Sequence, residues 1–265
     1  MRQIFPDAGP DLELFPAPVA GELPTAVRQL ADLYRNGSSP GTPDRPWLRA
    51  NMIASADGAS ALGGRSGGLG GPADRMVFTV LRSLADVILV GAGTARAEHY
   101  RPVQREDMWA ALRADRAPTT AIAVVTRSLD LEDCAKLLTA SPPDAETILI
   151  TSAAAPADQV AALGGQVRVL TAGQSRVDLG QAVAALGELG YQQILAEGGP
   201  NLLGQLTKAG LLDELCLTIS PVLAAGSASR IASSASEKAE GVPVTLAHVL
   251  TDAGFLITRY IRPAG

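Results

Sequence analysis

The chain of 265 residues is poor in cysteine and histidine, with only two of each. Cys134, Cys216, His99 and His248 show none of the short spacings typical of zinc sites. Two cysteines also cannot form the disulfide framework of a small secreted domain. We therefore expect no metal site and no disulfide scaffold, and the low cysteine content favours a reducing, cytoplasmic location.

Long apolar runs and an excess of positive charge are missing as well. No uninterrupted apolar stretch approaches the roughly 20 residues that a membrane helix needs. The first residues, "MRQIFPDAGPDLELFP", contain no apolar core of the signal-peptide kind. The formal net charge of -5 gives no general attraction to nucleic acids or anionic membranes. We expect neither as a partner.

Short aliphatic segments alternate with amphipathic ones from Trp47 onward. Continuous aliphatic strands separated by helices are typical of a mostly parallel sheet that is covered on both faces. The segments with strand character are 47–55, 86–94, 120–126, 147–151, 166–171 and 192–196, and those with helical spacing include 73–85, 156–164 and 178–189. The sequence therefore predicts an α/β fold.

The two ends of the chain depart from this alternation. Segments 214–224, 245–250 and 255–261 follow one another without a convincing helix, which predicts antiparallel strands at one edge of the sheet. Residues 1–46 are rich in proline, glycine and aspartate, with one helical stretch at 24–35. We expect 1–46 to be an N-terminal extension and 47–265 to be the main domain.

Glycine-rich turns follow several of the predicted strands. The segment "EGGPN" (197–201) lies between a strand and a helix, where glycines allow close backbone approach and the helix start attracts phosphate. The segment "VGAGTARAE" (90–98) has a similar position but carries Arg96 where the dinucleotide fingerprint requires glycine. Taken alone, each turn is more simply explained as a tight connection between two elements.

Two further segments carry charged residues at strand ends. A glycine-rich stretch, "ASADGASALGGRSGGLGG" (54–71), contains Asp57 and has the composition of a lid over a ligand or of a solvated loop. Arg127 directly follows another strand, where it could bind a terminal phosphate or lie on the surface.

Four segments, in this order, resemble the reductase domain of riboflavin biosynthesis. They are "ASADG" (54–58), "GGPADRMVFTVLRSLADVILVGAGTARAE" (70–98), "AVVTRS" (123–128) and "EGGPNLLGQLTKAGLLDELCLTISPVLAAG" (197–226). That family forms the C-terminal half of bifunctional pyrimidine deaminase-reductases and has the dihydrofolate reductase fold. The similarity runs from about Trp47 to the C-terminus.

The resemblance implies NADPH as hydride donor and a dihydrofolate-reductase-like, mostly parallel central sheet with antiparallel C-terminal strands. It also implies a homodimer. The residues that it assigns to the cofactor are Ala54, Gly91, Gly93, Thr94, Thr126, Arg127, Ser128, Gly198, Gly199, Pro200, Asn201, Leu202 and Leu203.

The family's reaction reduces the ribosyl group of 5-amino-6-(5-phosphoribosylamino)uracil to a ribityl group. A hydride goes to the sugar C1′, and a proton must reach the adjacent heteroatom. Asp57, Glu197 or a bound water are the candidates that handle this proton. Arg82 is the first candidate for the substrate phosphate, with Ser66 and Arg101 as further substrate-binding residues.

Departures from the family pattern lie on the substrate side. The tryptophan that commonly comes two residues after a serine in the glycine-rich loop is Gly68 here, and the family's Asp-Asp-Pro is Glu98-His99-Tyr100. No zinc deaminase signature precedes residue 47. A pterin such as dihydrofolate is therefore an alternative substrate, and a non-catalytic NADP(H)-binding protein is an alternative function.

Overall fold

The structure is a computed structural model, and it describes residues 1–6, 23–35, 41–105, 109–114, 116–129, 137, 146–163, 167–234 and 241–263. The described strands form one sheet. They are β1 (Arg2–Phe5), β2 (Trp47–Ser55), β3 (Val87–Gly91), β4 (Ala121–Val125), β5 (Thr147–Thr151), β6 (Arg168–Thr171), β7 (Gln193–Ala196), β8 (Glu214–Ser220), β9 (Thr245–Asp252) and β10 (Phe255–Ile261).

Six α-helices and one short 3-10 helix (Ala110–Arg113) accompany these strands in the described residues. The α-helices are α1 (Thr25–Arg35), α2 (Pro72–Leu84), α3 (Ala92–Ala97), α4 (Ala157–Leu163), α5 (Leu179–Glu188) and α6 (Pro200–Lys208).

The strand order is β1-β9-β10-β8-β2-β7-β3-β4-β5-β6. All neighbours from β8 to β6 are parallel, and β8, β10, β9 and β1 pair antiparallel. The predicted mostly parallel sheet with antiparallel C-terminal strands is therefore confirmed. Because β2, β7 and β3 are central and parallel, their carboxyl ends meet at the middle of one sheet edge.

Both faces of the parallel part of the sheet are covered, which explains its continuous aliphatic strands. On β3, Ile88 and Val90 join the cluster that contains α1 and α2, whereas Val87 and Leu89 join the cluster that contains α5 and α6. Successive side chains of a strand point to opposite faces, so a strand in the middle layer must be apolar throughout.

Helix α2 positions the residues that matter for the site. Gly71 precedes the helix and Pro72 begins it, which is a favoured arrangement because proline has no N–H to leave unpaired. Asp74 lies in the first turn and Arg82 in the last, as the helix dipole favours. Val77, Val80 and Leu81 are buried in the core. The opposite side of α2 borders the clefts described below, and Asp74, Phe78 and Arg82 are among the residues that line them.

The structure corrects two details of the predicted elements. The strand predicted over 86–94 ends at Gly91, and Ala92–Ala97 form α3, because the alanine-rich segment "AGTARA" continues as a helical turn. A strand was not predicted at Arg2–Phe5, yet β1 pairs with β9. The proposed boundary at residue 46 stays a prediction.

A buried ionic cluster joins the sheet to α1. Glu214 accepts hydrogen bonds from Arg49 at 2.6 Å and from Arg259 at 2.8 Å, and its side chain is fully buried. The same two arginines donate to the carbonyls of Tyr34 and Leu33 at the end of α1. Cations at a helix C-terminus are favourable, so the cluster fixes α1 on the sheet.

The described residues were compared with the requirements of a membrane-spanning helix and of a metal site. None of their helices is both long and apolar enough to span a membrane. Among the same residues, no group of three or more histidine, cysteine, aspartate or glutamate side chains is arranged to hold a metal ion.

Candidate active site

A cleft of about 580 Å³ opens where β2, β7 and β8 end. One wall comes from α3 and the start of α6, and the other from the loops 60–66 and 224–229. Its lining residues include Met52, Ser60, Leu62, Ser66, Gly93, Thr94, Glu98, Glu197, Gly199, Pro200, Ala224, Gly226, Ser227 and Ser229.

Two smaller clefts adjoin this one under α2. The first, of about 240 Å³, is lined by Asn51, Asp74, Phe78 and Tyr100 among others. The second, of about 500 Å³, is lined by Phe78, Thr79, Arg82, Glu98, His99, Tyr100 and Arg101, with Ser66. Ser66 and Glu98 border all three clefts, so the three form one connected site.

The glycine turns predicted to hold the cofactor meet between β3 and β7. The amide of Gly91 donates to the carbonyl of Gly198 at 2.9 Å. A Cβ placed on Gly199 would collide with Thr94 Oγ1, whereas one on Gly93 would meet nothing within 4 Å. The backbone is thus closely packed at Gly199 and open to the cleft at Gly93.

Helix α6 begins at Pro200 directly beside these turns. The side chains of Leu202 and Leu203 are buried in the core, and Asn201 is exposed. Leu202 and Leu203 therefore cannot contact a ligand through their side chains, whereas the backbone amides at this helix start can bind an anion.

Glu197 connects three elements at the end of β7. Arg82 donates to its two carboxylate oxygens from Nε at 2.7 Å and from Nη2 at 2.6 Å. The hydroxyl of Tyr100 donates to Oε2 at 2.6 Å. Burial lowers the pKa of Arg82, but the Glu197 carboxylate outweighs this effect and raises it. Burial also raises the pKa of Tyr100, so its hydroxyl keeps its proton.

Asp57 is exposed, and its carboxylate binds the start of the 224–229 loop. Its carboxylate accepts from Ser55 Oγ at 2.5 Å and from the amides of Ala224 at 3.0 Å and Ala225 at 2.8 Å. These donors, the Ser55 hydroxyl first, lower the pKa of Asp57 to about 2. Asp57 is absent from the described lining of the three clefts.

The other predicted substrate residues lie around Glu98. The amide of Ser66 donates to Glu98 Oε1 at 2.7 Å, and Arg65 donates to His99 Nε2 at 2.5 Å. Arg101 is exposed at the 500 Å³ cleft. Glu98, His99 and Tyr100 therefore form part of the site wall, at the position where the sequence departs from its family.

The remaining predicted cofactor residues lie near the ends of two strands. Ala54 is buried within β2. Thr126 is buried after β4, where its hydroxyl accepts from the amide of Leu129 at 3.1 Å. Arg127 and Ser128 are exposed and could reach a ligand that extends along this edge.

Asp74 and the 224–229 loop were not predicted as parts of the site. Asp74 lines the 240 Å³ cleft, and burial raises the pKa of its carboxyl. An acidic residue in the first turn of a helix that follows a glycine-rich loop was the available signal. The loop could not be assigned from spacing, because only the fold brings Ala224–Ser229 opposite Ser60.

Comparison with known proteins gives a consistent result. The family model described as the RibD C-terminal domain matches residues 46–255. A 2,5-diamino-6-ribosylamino-4(3H)-pyrimidinone 5′-phosphate reductase from Methanothermobacter thermautotrophicus is 29% identical over 194 residues, which are 70% of this chain and 82% of that protein.

Solved structures show the same fold. A pyrimidine reductase-like protein from Corynebacterium diphtheriae superposes with a TM-score of 0.77 at 25% identity, covering 89% of this chain and 99% of that one. The riboflavin biosynthesis reductase Rib7 of Saccharomyces cerevisiae superposes with a TM-score of 0.61 at 16% identity, covering 89% and 98%.

Proposed function

This chain belongs to the RibD C-terminal domain family, and we propose that it is an NADPH-dependent pyrimidine reductase of the riboflavin biosynthesis type. One observation carries the proposal. The glycine turns at Gly91 and Gly198 and the start of α6 meet in one connected cleft, which is also lined by the three acids Asp74, Glu98 and Glu197. The matched region, 46–255, contains every residue that lines it.

The substrate is a ribosylaminopyrimidine 5′-phosphate. The resemblance in sequence implies 5-amino-6-(5-phosphoribosylamino)uracil, which is reduced to the ribitylamino product. The archaeal relative is named for a pyrimidinone that carries an amino group at C2, where a uracil carries oxygen. The sugar phosphate that accepts the hydride is common to both.

The glycine turns fit a nicotinamide dinucleotide. Open space at Gly93 and the backbone amides at the start of α6 suit a pyrophosphate, and exposed Arg127 and Ser128 suit the adenosine end. When bound, NADPH supplies the hydride that reduces C1′ of the sugar. Thr94 and Gly199 fix the wall against which the cofactor lies.

Glu197 acts as a hydrogen-bond acceptor that orients the opened sugar chain. Three donors from Arg82 and Tyr100 hold its carboxylate in one position at the border of two clefts. A group fixed in this way positions a substrate hydroxyl with little further loss of entropy. Because Arg82 is committed to Glu197, Arg101 and His99 in the 500 Å³ cleft are the better candidates for the 5′-phosphate.

Asp57 is a poor candidate for proton transfer, because it lines none of the three clefts and its carboxylate accepts from Ser55 and from the amides of Ala224 and Ala225. Glu98 borders all three clefts and accepts only through Oε1 among the hydrogen bonds described for it. We therefore assign proton handling to Glu98, through bound water, rather than to Asp57.

A homodimer would cover the bare face of the antiparallel strands. Leu256 lies opposite Ile219, and Tyr260 opposite Leu215, on the side of the sheet away from the buried Arg259 and Cys216. These side chains are half-buried or exposed. Light scattering on the wild type and on Leu256→Asp tests the dimer: we expect a dimer that the charge weakens, and a monomeric wild type would contradict it.

Oxidation of NADPH by the purified protein tests the function. Offered in parallel, the ribosylaminopyrimidine phosphates should be turned over and dihydrofolate should not. Turnover of dihydrofolate alone would identify a pterin reductase. Tight NADPH binding without turnover of any of them would identify the non-catalytic alternative.

A further inference from the structure

The hairpin that joins β9 to β10 packs against the start of α2. A Cβ placed on Gly71, the residue before Pro72, would lie 2.8 Å from both Cε2 and Cζ of Phe255. This distance is well inside the roughly 3.5–4.0 Å at which carbon atoms pack. The ring of Phe255 therefore rests directly on the backbone of Gly71, in the space that any other residue would fill with its side chain.

The backbone of Gly71 does not itself require glycine. Its φ of -126° and ψ of -178° are extended, which is a conformation that any residue adopts. Close packing is the reason that no side chain fits here. Gly70 is also closely packed, because a Cβ there would be 3.0 Å from Asp74 Oδ2. Both residues before α2 thus contact a side chain closely, one from the helix and one from the hairpin.

The hairpin is held in place by its own bonds and by the loop after β8. Ala253 and Gly254 form its turn with φ values of 46° and 85°, and two-residue hairpin turns favour positive φ. The hydroxyl of Thr251 donates to the carbonyl of Phe255 at 3.1 Å. A Cβ on Gly254 would be 3.3 Å from Pro221, so the turn also packs on the residue that follows β8.

Further contacts join the start of α2 to the same antiparallel strands. Ile257 lies on the same face of β10 as Phe255, and it is buried in the cluster that contains Val77 of α2. The side chain of Asp74 is hydrogen-bonded to Thr218 of β8. The ring of Phe255 makes its contact before the helix begins, so it sets where α2 starts relative to the sheet.

The start of α2 forms part of the clefts on the substrate side. Gly70 and Asp74 line the 240 Å³ cleft, and Phe78 lines both this cleft and the 500 Å³ cleft. The described lining of the three clefts includes neither Phe255 nor Gly71. A shift of the helix start would therefore change the shape of both clefts without removing any group that faces a ligand.

We propose that Phe255 is a positioning residue for this reductase, because its ring fixes the start of α2 and thereby the shape of the two clefts under this helix. The inference rests on the proposed function and adds to it a residue that lies outside the clefts. A misplacement of about 1 Å in a binding group can reduce a rate about 100-fold. The cofactor wall at Gly93 and Gly199 lies on α3 and α6, so loss of the ring affects the pyrimidine and not NADPH.

Two substitutions that complement each other test the proposal. Phe255→Leu removes Cε2 and Cζ of the ring, and Gly71→Ala adds a methyl group where these atoms lie. We expect each single variant to raise KM for the ribosylaminopyrimidine phosphates about 5–10-fold, with an unchanged Kd for NADPH. The double variant should return to within about 2-fold of the wild-type KM, because the new methyl group fills the space that the ring leaves.

Phe5→Leu and Gly241→Ala are the matched controls. Phe5 is an exposed phenylalanine on the edge strand β1, and a Cβ on Gly241 would meet nothing within 4 Å. Both variants should have the KM of the wild type. An unchanged KM in Phe255→Leu and Gly71→Ala would overturn the proposal, and so would a double variant that is no better than the worse single one.

A wild type that reduces none of the ribosylaminopyrimidine phosphates would contradict the proposed function. Amide hydrogen exchange of residues 67–74 then tests the position of the helix start by itself. Faster exchange in both single variants, returned to the wild-type rate in the double variant, supports the proposal. Equal rates in the wild type and the variants contradict it.

Discussion

Arg82 and Glu197 form a two-point ion pair that closes the inner wall of the cleft, with N–O distances of 2.7 and 2.6 Å. The Glu197 side chain is 2% exposed and that of Arg82 15%. The guanidinium also lies over the Phe78 ring at 4.1 Å. Helix α2 and the end of β7 are therefore coupled through charged groups that have little contact with water.

Replacement of Arg82 by methionine should destabilise the protein by about 3–5 kcal/mol, because it leaves the buried carboxylate of Glu197 without its partner. Urea unfolding measures the change. Tyr100→Phe removes one hydrogen bond to the same carboxylate and should cost only about 1 kcal/mol. Equal losses in the two variants would mean that the ion pair contributes no more than the tyrosine.

Asp57→Asn should raise the KM for NADPH several-fold and leave kcat nearly unchanged, because Asp57 holds the 224–229 wall of the cleft through two amides. The pH profile of kcat should be the same in the variant and the wild type. A carboxyl with a pKa of about 2 does not titrate in the working range. A large fall in kcat, together with a changed acid limb of its pH profile, would instead indicate that Asp57 takes part in proton transfer.

Alanine at Gly93 should weaken NADPH binding at least about 10-fold without lowering Tm. The new Cβ meets no protein atom within 4 Å, and alanine is favoured over glycine in a helix. The added methyl group should therefore affect only the binding of the cofactor, because it occupies space that we assign to NADPH. Fluorescence titration gives the Kd, and a thermal melt gives Tm.

Gly199→Ala provides the contrast, because its Cβ collides with Thr94 Oγ1 in the protein itself. This variant should lose both Tm and NADPH affinity. An unchanged Kd in Gly93→Ala would show that the cofactor does not pass over α3.

The Glu214 cluster should make stability depend on acid. Burial raises the pKa of Glu214, but Arg49 and Arg259 outweigh it and lower the value to about 2, from 4.5 for an ordinary glutamate. The folded pKa is the lower one, so the stabilisation is complete above about pH 4.5 and is lost as pH falls through about 2. Tm should be flat from pH 7 to 5 and fall below pH 4.

Glu214→Gln should lower stability at pH 7 by about 3–5 kcal/mol, since two buried arginines lose their partner, and should flatten the dependence below pH 4. Glu146→Gln is the matched control, because Glu146 pairs with Arg168 where both are half-exposed and should cost under about 1 kcal/mol. Parallel pH curves for the wild type and Glu214→Gln would contradict this assignment.

The sequence predicted the fold well because its signals are local. The strand predicted at 47–55 has the same bounds as β2, since alternation with amphipathic helices and flanking turns delimits it. Side-chain contacts between neighbouring strands leave no comparable local pattern in the sequence. Arg49, Glu214 and Arg259 lie far apart along the chain and meet only because β2, β8 and β10 are neighbours.

The site was predictable where it follows strand ends and not where it depends on side-chain partners. Gly91 and Gly198 were assigned to one site from their positions after two strands, and their backbones do meet at 2.9 Å. That Arg82 would bind Glu197 rather than face outward could not be read from helical spacing. Asp74 was missed because an acid at a helix start has an ordinary explanation in the helix dipole.

The central position of β7 has a consequence for biosynthesis. Strand β2 pairs with β7 through Trp47 and Gln193, so a nascent chain holds β2 without its neighbours until nearly three-quarters of it has been made. Non-local pairing of this kind slows folding and leaves apolar strands open to wrong partners meanwhile. The cleft at the ends of β2, β7 and β8 is therefore among the last features to form, and a chain that ends before β7 lacks one of its walls.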